Sequence, residues 1–233
     1  MTSVSGGPIG PPVDTTPAQV PHDVKLEGRY GSVEKLDPLR HGADLWNAVK
    51  GDNSLWTYMS YGPFADAKVF GAWLTERGGL TDPFYYAIVD KDDRAVGVAT
   101  LMEIRPAARV IEVGNILYGT PLQRTPLATE AQYLLARYVF ETMHYRRYEW
   151  KCNALNAASQ GAALRYGFTP EGLFRQHMIV KGRNRDTAWF SMLDTEWPAR
   201  RAVFERWLSP DNFDAQGRQK TSLRALQKSD QSR

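Results

Sequence analysis

The 233-residue chain has one cysteine, Cys152, and four histidines. A single thiol excludes an internal disulfide framework and a cysteine-rich metal site, and no metal is expected. Cys152 lies in Tyr148-Glu-Trp-Lys-Cys-Asn153, which alternates like a strand, so it is read as a packed structural thiol. No stretch approaches the roughly 18 continuous apolar residues of a membrane span, and no membrane partner is expected. Residues 2–21 are rich in Gly, Pro, Ser and Thr and lack the apolar core of an export signal, which points to the cytoplasm. Neither sign of charge dominates: 29 Lys and Arg against 26 Asp and Glu leave +3. The basic excess gathers near the C-terminus, as in Arg200-Arg201 and residues 218–233, and reads as a solvated tail. Without a recognisable nucleic-acid module beside it, nucleic acid is not an expected partner.

What is present is patterned like a folded domain with ordinary apolar and charged fractions. Helical periodicity appears within 38–60 and over 66–74, where Val69, Phe70, Trp73 and Leu74 share a face. Strand patterns follow at 84–89 and 95–104 around Asp90-Lys-Asp-Asp-Arg94, and then at 110–118. A helix is expected from Pro126, with Leu127, Ala131, Leu134, Leu135, Tyr138 and Val139 on one side. Thr125 suits its N-cap and Pro126 its first turn. A strand at 147–153, a small-residue helix from Asn156, a hairpin of 173–180 and 187–193 turning at 181–186, and a helix at 197–208 complete the order. That succession describes a mixed α/β sheet covered by helices. The expected divisions are a disordered or extended arm at 1–24, one domain at 25–208 and a polar basic tail at 209–233. Monomer and homodimer both remain open.

The most informative segment is 122–168. A helix that starts abruptly after a strand exposes backbone N–H groups and a positive dipole end, which suits an anion. The following helix opens at Asn156-Ala-Ala-Ser159, carries Gly161, Ala162 and Ala163, and stops at Gly167-Phe168. These elements together resemble the Gcn5-related N-acetyltransferase (GNAT) superfamily. In that family a Gln/Arg-x-x-Gly-x-Gly/Ala loop binds the acetyl-coenzyme A pyrophosphate; the matching run here is Gln123-Arg-Thr-Pro126-Leu-Ala128. The Asn-x-x-Ser…Gly-Phe run, with Glu171-Gly172 and Arg175 behind it, looks like the ribosomal-protein alanine N-acetyltransferase branch. The resemblance covers roughly 30–197. It departs from the family at Pro126, which replaces a Gly and removes one amide donor. It departs again at Ala163, where many members place a Tyr that protonates the leaving thiolate.

The resemblance implies that 25–208 is a single N-acetyltransferase domain, an acyl-CoA N-acyltransferase fold with a largely antiparallel, centrally splayed sheet flanked by helices. It implies acetyl transfer from acetyl-CoA to a primary amine, with a protein N-terminal amine as one acceptor and a small-molecule amine as the alternative. The rival from another class is a catalytically degenerate acyl-CoA-binding or protein-interaction module. The cofactor-binding residues implied are Gln123, Arg124, Thr125, Leu127, Ala128 and Thr129 at the helix start, Asn156 and Ser159 at the second helix, and Ile116 and Leu117. With Asn115, these last two can offer a backbone N–H to the thioester carbonyl. Amine acetylation needs a base and a proton donor. Glu112, alternating with Ile111 and Val113 in its strand, is the leading base candidate. His177 is the second, and Ser159 is the candidate donor to sulfur. Tyr58, Tyr61 and the Arg183-Asn-Arg-Asp186 turn are expected to shape the acceptor entrance.

Overall fold

The computed structural model describes residues 9–231. Eight strands, β1 (Lys25–Glu27), β2 (Gly31–Lys35), β3 (Phe84–Asp90), β4 (Ala95–Arg105), β5 (Val110–Tyr118), β6 (Arg147–Asn153), β7 (Thr169–Val180) and β8 (Arg183–Leu193), form one sheet in the order β1-β2-β3-β4-β5-β6-β8-β7. Every neighbouring pair is antiparallel except β5 and β6. The expected mixed α/β, largely antiparallel sheet is what forms.

Helices α1 (Pro38–Val49) and α2 (Ala67–Gly78) cover the β2–β5 half of one face. Their N-caps, Asp37 and Asp66, accept from backbone amides of the first turn, which stops each helix where a short acidic side chain can satisfy orphan donors. Leu45, Val49, Phe70 and Leu74 bury against Tyr85, Ala87 and Val98. The opposite face carries α3 (Pro126–Arg137), α4 (Ala157–Arg165), α5 (Trp197–Leu208) and α6 (Leu223–Gln231) over a larger aromatic core that includes Tyr86, Tyr148, Trp150 and Phe204.

Strand β5, helix α3, strand β6 and helix α4 lie where the sequence places them. Thr125 caps α3 by accepting from the Ala128 amide, and Asn156 caps α4 by accepting from the Ser159 amide. Gly167 takes φ +91 and Phe168 folds back into the core. The β7–β8 turn is tighter than the expected 181–186: it is Lys181-Gly182, both at positive φ, and the flanking strands extend accordingly.

Strands β1 and β2 were not legible in the mixed-charge run 25–35. They are assembled by tertiary contacts. Glu130 of α3 accepts from the Arg29 and Tyr30 amides at 2.6 and 2.7 Å, and a Cβ on Gly28 would collide with that carboxylate. The arm is likewise tied down: the Ala18 amide donates to the Pro106 carbonyl and Asp14 pairs with Arg109, while residues 1–8 lie outside those described. Residues 223–231 form α6, with Leu223 and Leu226 buried against α5, where the composition suggests a solvated end. Two leucines three apart suffice to bury one side of a polar helix.

Candidate active site

The parallel β5–β6 ladder runs from Val110↔Arg147 to Val113↔Trp150 and goes no further. Beyond it the two strands separate, and the inner edge of β5 takes no strand partner among the described residues. A bulge sits at the same place. Thr100 pairs with Gly114 and Val98 with Leu117, so Asn115 and Ile116 stand against the single residue Ala99. Asn115 takes φ +47. Side chains hold the bulge: Thr100 Oγ1 donates to the Gly114 carbonyl at 3.0 Å and accepts from Asn115 Nδ2 at 3.2 Å.

A cavity of about 500 Å³ occupies this opening. It brings together Glu112, Asn115, Ile116, Asn156, Ser159 and His177, which are scattered through the sequence. Leu117 is buried in the α1–α2 core and back in register, so the unpaired backbone is that of Asn115 and Ile116.

Glu112 is 5 % exposed, and its Oε2 pairs with Lys151 Nζ at 2.8 Å. Burial pushes its carboxyl up to about 7 even though the Lys151 ammonium pulls the other way. Lys151 also pairs with Glu149 at 3.0 Å and lies 4.0 Å from the Trp189 ring centroid. Glu149, held by Arg147 and Arg105 at 2.7 Å each, is lowered despite its burial. Neighbouring carboxylates are thus driven apart: Glu149 stays charged and anchors Lys151, while Glu112 can exchange a proton near neutrality. Lys151 and Trp189 are the residues sequence reasoning missed. The signal was present, since Arg147, Glu149, Lys151 and Asn153 alternate with the buried Tyr148, Trp150 and Cys152, but only the β6–β8 register sets Lys151 opposite Trp189.

Ser159 Oγ accepts from Trp150 Nε1 at 3.0 Å, which orients the hydroxyl and leaves its own proton to donate. Burial raises the adjacent Cys152 thiol, partly offset by Ser159, as befits an inert packed cysteine. His177 is exposed on the edge strand β7, its Nδ1 3.0 Å from Thr187 Oγ1, on the wall opposite Glu112. Ala163 is fully buried in the core.

The α3 start lies at the far end of β5, outside the cavity lining. Arg124 is exposed with φ +62, and Gln123 Nε2 donates to the Tyr118 carbonyl at 3.0 Å. Thr125 Oγ1 is fully used, donating to the Leu122 carbonyl and accepting from Ala128, so it does not replace the amide lost at Pro126. Among the described residues the amides of Arg124 and Leu127 remain without an intramolecular partner. Leu127, Ala128 and Thr129 side chains are buried; the Thr129 hydroxyl accepts from Arg165 Nη1 at 2.9 Å. A phosphate-bearing ligand would therefore meet Arg124 and backbone donors at this helix start, and its extended arm would meet the unpaired edge of β5. The residues present fit such a group.

Two contacts tie the 56–58 segment, whose Tyr58 lines the cavity, to the residues after β6 and to the β7–β8 turn. Tyr58 Oη donates to the Leu155 carbonyl at 2.9 Å, and Lys181 Nζ to the Trp56 carbonyl at 2.8 Å. Tyr58 thus shapes the entrance, whereas Tyr61 packs against Trp56 and Trp73. Of the expected 183–186 turn, Arg185 alone faces the cavity.

The fold and sequence are similar to those of known proteins. Residues 35–169 match the family model for the acetyltransferase (GNAT) domain. A GCN5-related N-acetyltransferase structure from Brucella melitensis shares 45% identity, with a TM-score of 0.89 over 91% of this chain and 98% of that one. A probable GNAT-family acetyltransferase from Chromobacterium violaceum shares 41% identity, with a TM-score of 0.76 over 83% of this chain and 100% of that one. The RimL ribosomal L7/L12 alpha-N-protein acetyltransferase in complex with coenzyme A shares the fold at 18% identity, with a TM-score of 0.64 over 73% of this chain and 98% of that one. No curated protein sequence matches the chain.

Proposed function

Because the chain belongs to the GNAT acetyltransferase family and so transfers acetyl groups from acetyl-CoA, we propose that its acceptor is a protein N-terminal amine and that Glu112 is the base. The observation that carries the base assignment is Glu112 itself, buried beside the β5 bulge with its carboxyl pushed up to about 7 by that burial. An ammonium has no lone pair, so an acceptor amine must lose a proton near neutral pH, and Glu112 is matched to that task. Acetyl-CoA, when bound, supplies an activated acetyl thioester. Asn115 and Ile116 offer backbone donors at the bulge toward the polarised carbonyl oxygen. Glu112 takes the amine's proton directly or through water, while Glu149 keeps Lys151 in place. Ser159, already accepting from Trp150, donates its hydroxyl proton toward the departing sulfur.

Tyr58, a cavity-lining residue, is bonded across to the Leu155 carbonyl, which favours the slim end of a chain over a folded surface. A protein α-amine is also the acceptor of the RimL neighbour, as its name states. A second reading, a small-molecule amine, is favoured by the cavity's size of about 500 Å³. The deciding measurement is release of free thiol from acetyl-CoA with two acceptor sets, short peptides with free N-termini and small amines. Turnover of peptides, abolished by blocking their N-termini, supports the proposal. Turnover confined to small amines establishes the second reading. Coenzyme A binding without turnover of any acceptor indicates a degenerate binding module.

A further inference from the structure

The cavity has an acidic end and a basic end. Glu112 and the exposed Glu103 stand at one side, with Lys151 between Glu112 and Glu149. On the other side β8 presents Arg185, Thr187 and Trp189 on one face, with His177 bonded to Thr187. Arg185 is the arginine that lines this cavity. Arg105 and Arg147 answer carboxylates on this sheet, and Arg165 donates to Thr129. Arg185 is half-buried, lines the cavity and has no acceptor among the described residues; its Nε is shielded from solvent as well. Buried donors are rarely left unpaired in a folded protein, and a guanidinium is suited to a planar carboxylate.

We infer that Arg185 binds a carboxylate of the acceptor, so that the preferred substrate is an amine-ended chain with an acidic group a fixed distance behind the amine. This deepens the proposed acceptor class and rests on it. The distance follows from the register. Trp189 stands opposite Lys151, level with the end of the β5–β6 ladder where the amine must react. Arg185 lies four residues further along β8, roughly 13 Å of strand, and its side chain lines the same cavity as Trp189, which shortens the span to be bridged. An extended acceptor chain covers the remaining gap in two or three residues. The acidic side chain is therefore at the second or third position of a peptide. A single amino acid is too short to join the two ends. A polyamine would bring positive charge toward Arg185 and Lys151 and is disfavoured.

The test compares peptides that differ only in Asp, Asn or Lys at positions two and three, with spermidine as the polyamine probe. The readout is thiol release from acetyl-CoA by the parent, Arg185→Gln and Arg185→Glu. The parent should prefer Asp over Asn over Lys, with a ten- to hundred-fold spread in kcat/KM carried mainly by KM. Arg185→Gln should flatten that ranking, and Arg185→Glu should invert it toward Lys while the KM for acetyl-CoA stays the same. Reversal by charge is a signature that a purely structural role of Arg185 would not produce. Spermidine as the best acceptor, or the same ranking in all three proteins, overturns the inference and leaves acetyl transfer standing. Coenzyme A binding with no turnover of any acceptor overturns the reading on which it rests.

Discussion

Glu112→Gln makes the sharpest test, because activity and stability should move in opposite directions. The carboxyl is raised from an ordinary 4.5 to about 7, so between those values the folded protein binds a proton that the unfolded chain releases. Stability must then fall as pH rises through that window. Each pH unit of displacement is worth about 1.4 kcal/mol, so a buried charged Glu112 costs the fold about 3 kcal/mol by pH 8, with the Lys151 pair already counted. Glutamine keeps the shape and still accepts from Lys151, but never carries the charge. Urea unfolding should therefore show the variant more stable than the parent by up to about 3 kcal/mol at pH 8 and indistinguishable near pH 4. Turnover at pH 7 should drop roughly 100-fold or more with coenzyme A affinity unchanged, and the parent's low-pH limb near 7 should vanish. A variant that is less stable at pH 8 would refute the electrostatic account of the site. A variant that turns over like the parent would remove Glu112 as the base.

Arg124→Gly removes the guanidinium while suiting the positive φ at that turn, so calorimetry should show coenzyme A affinity weaker by about 1–3 kcal/mol with no loss of thermal stability. If affinity is unchanged, Arg124 makes no phosphate contact. Ser159→Ala should slow turnover, and it should also cost about 1–3 kcal/mol in denaturant unfolding because Trp150 Nε1 is left buried without an acceptor. The turnover defect should shrink with a thioester whose leaving thiol is more acidic; an equal defect would mean the hydroxyl only positions Trp150. Gly119→Ala should destabilise the protein markedly in a melting experiment, since its Cβ would meet backbone oxygens of Ala48 and Val96 at 2.8 Å each, and neither can swing away. An unchanged melting temperature would show that the β5–α3 junction has room it is not credited with.

Local chemistry alone determined the β5–α3–β6–α4 succession, the caps at Thr125 and Asn156, the stop at Gly167, and so the family. Each of these is specified by residues within a few positions of one another, where propensity and capping act. Glu112, Ser159 and Asn156 were legible as candidates for the same reason: they fall at set places in those motifs. What the chain's order could not determine is what stands beside what. Strand β2 exists through its ladder with β3, and the turn from β1 is held by Glu130, about a hundred residues away, which accepts from the Arg29 and Tyr30 amides; no pattern within 25–35 records either. The Thr129 side chain proved to be engaged inside the fold, which depends on Arg165, 36 residues on, reaching it. The pairing of Lys151 with Glu112 and its stacking on Trp189 depend on strand register across β5, β6 and β8. A one-residue slip would turn those side chains to the other face of the sheet. The displaced acidity of Glu112 and the unanswered charge of Arg185 are properties of that assembled cavity, because desolvation and ion pairing come from neighbours in space.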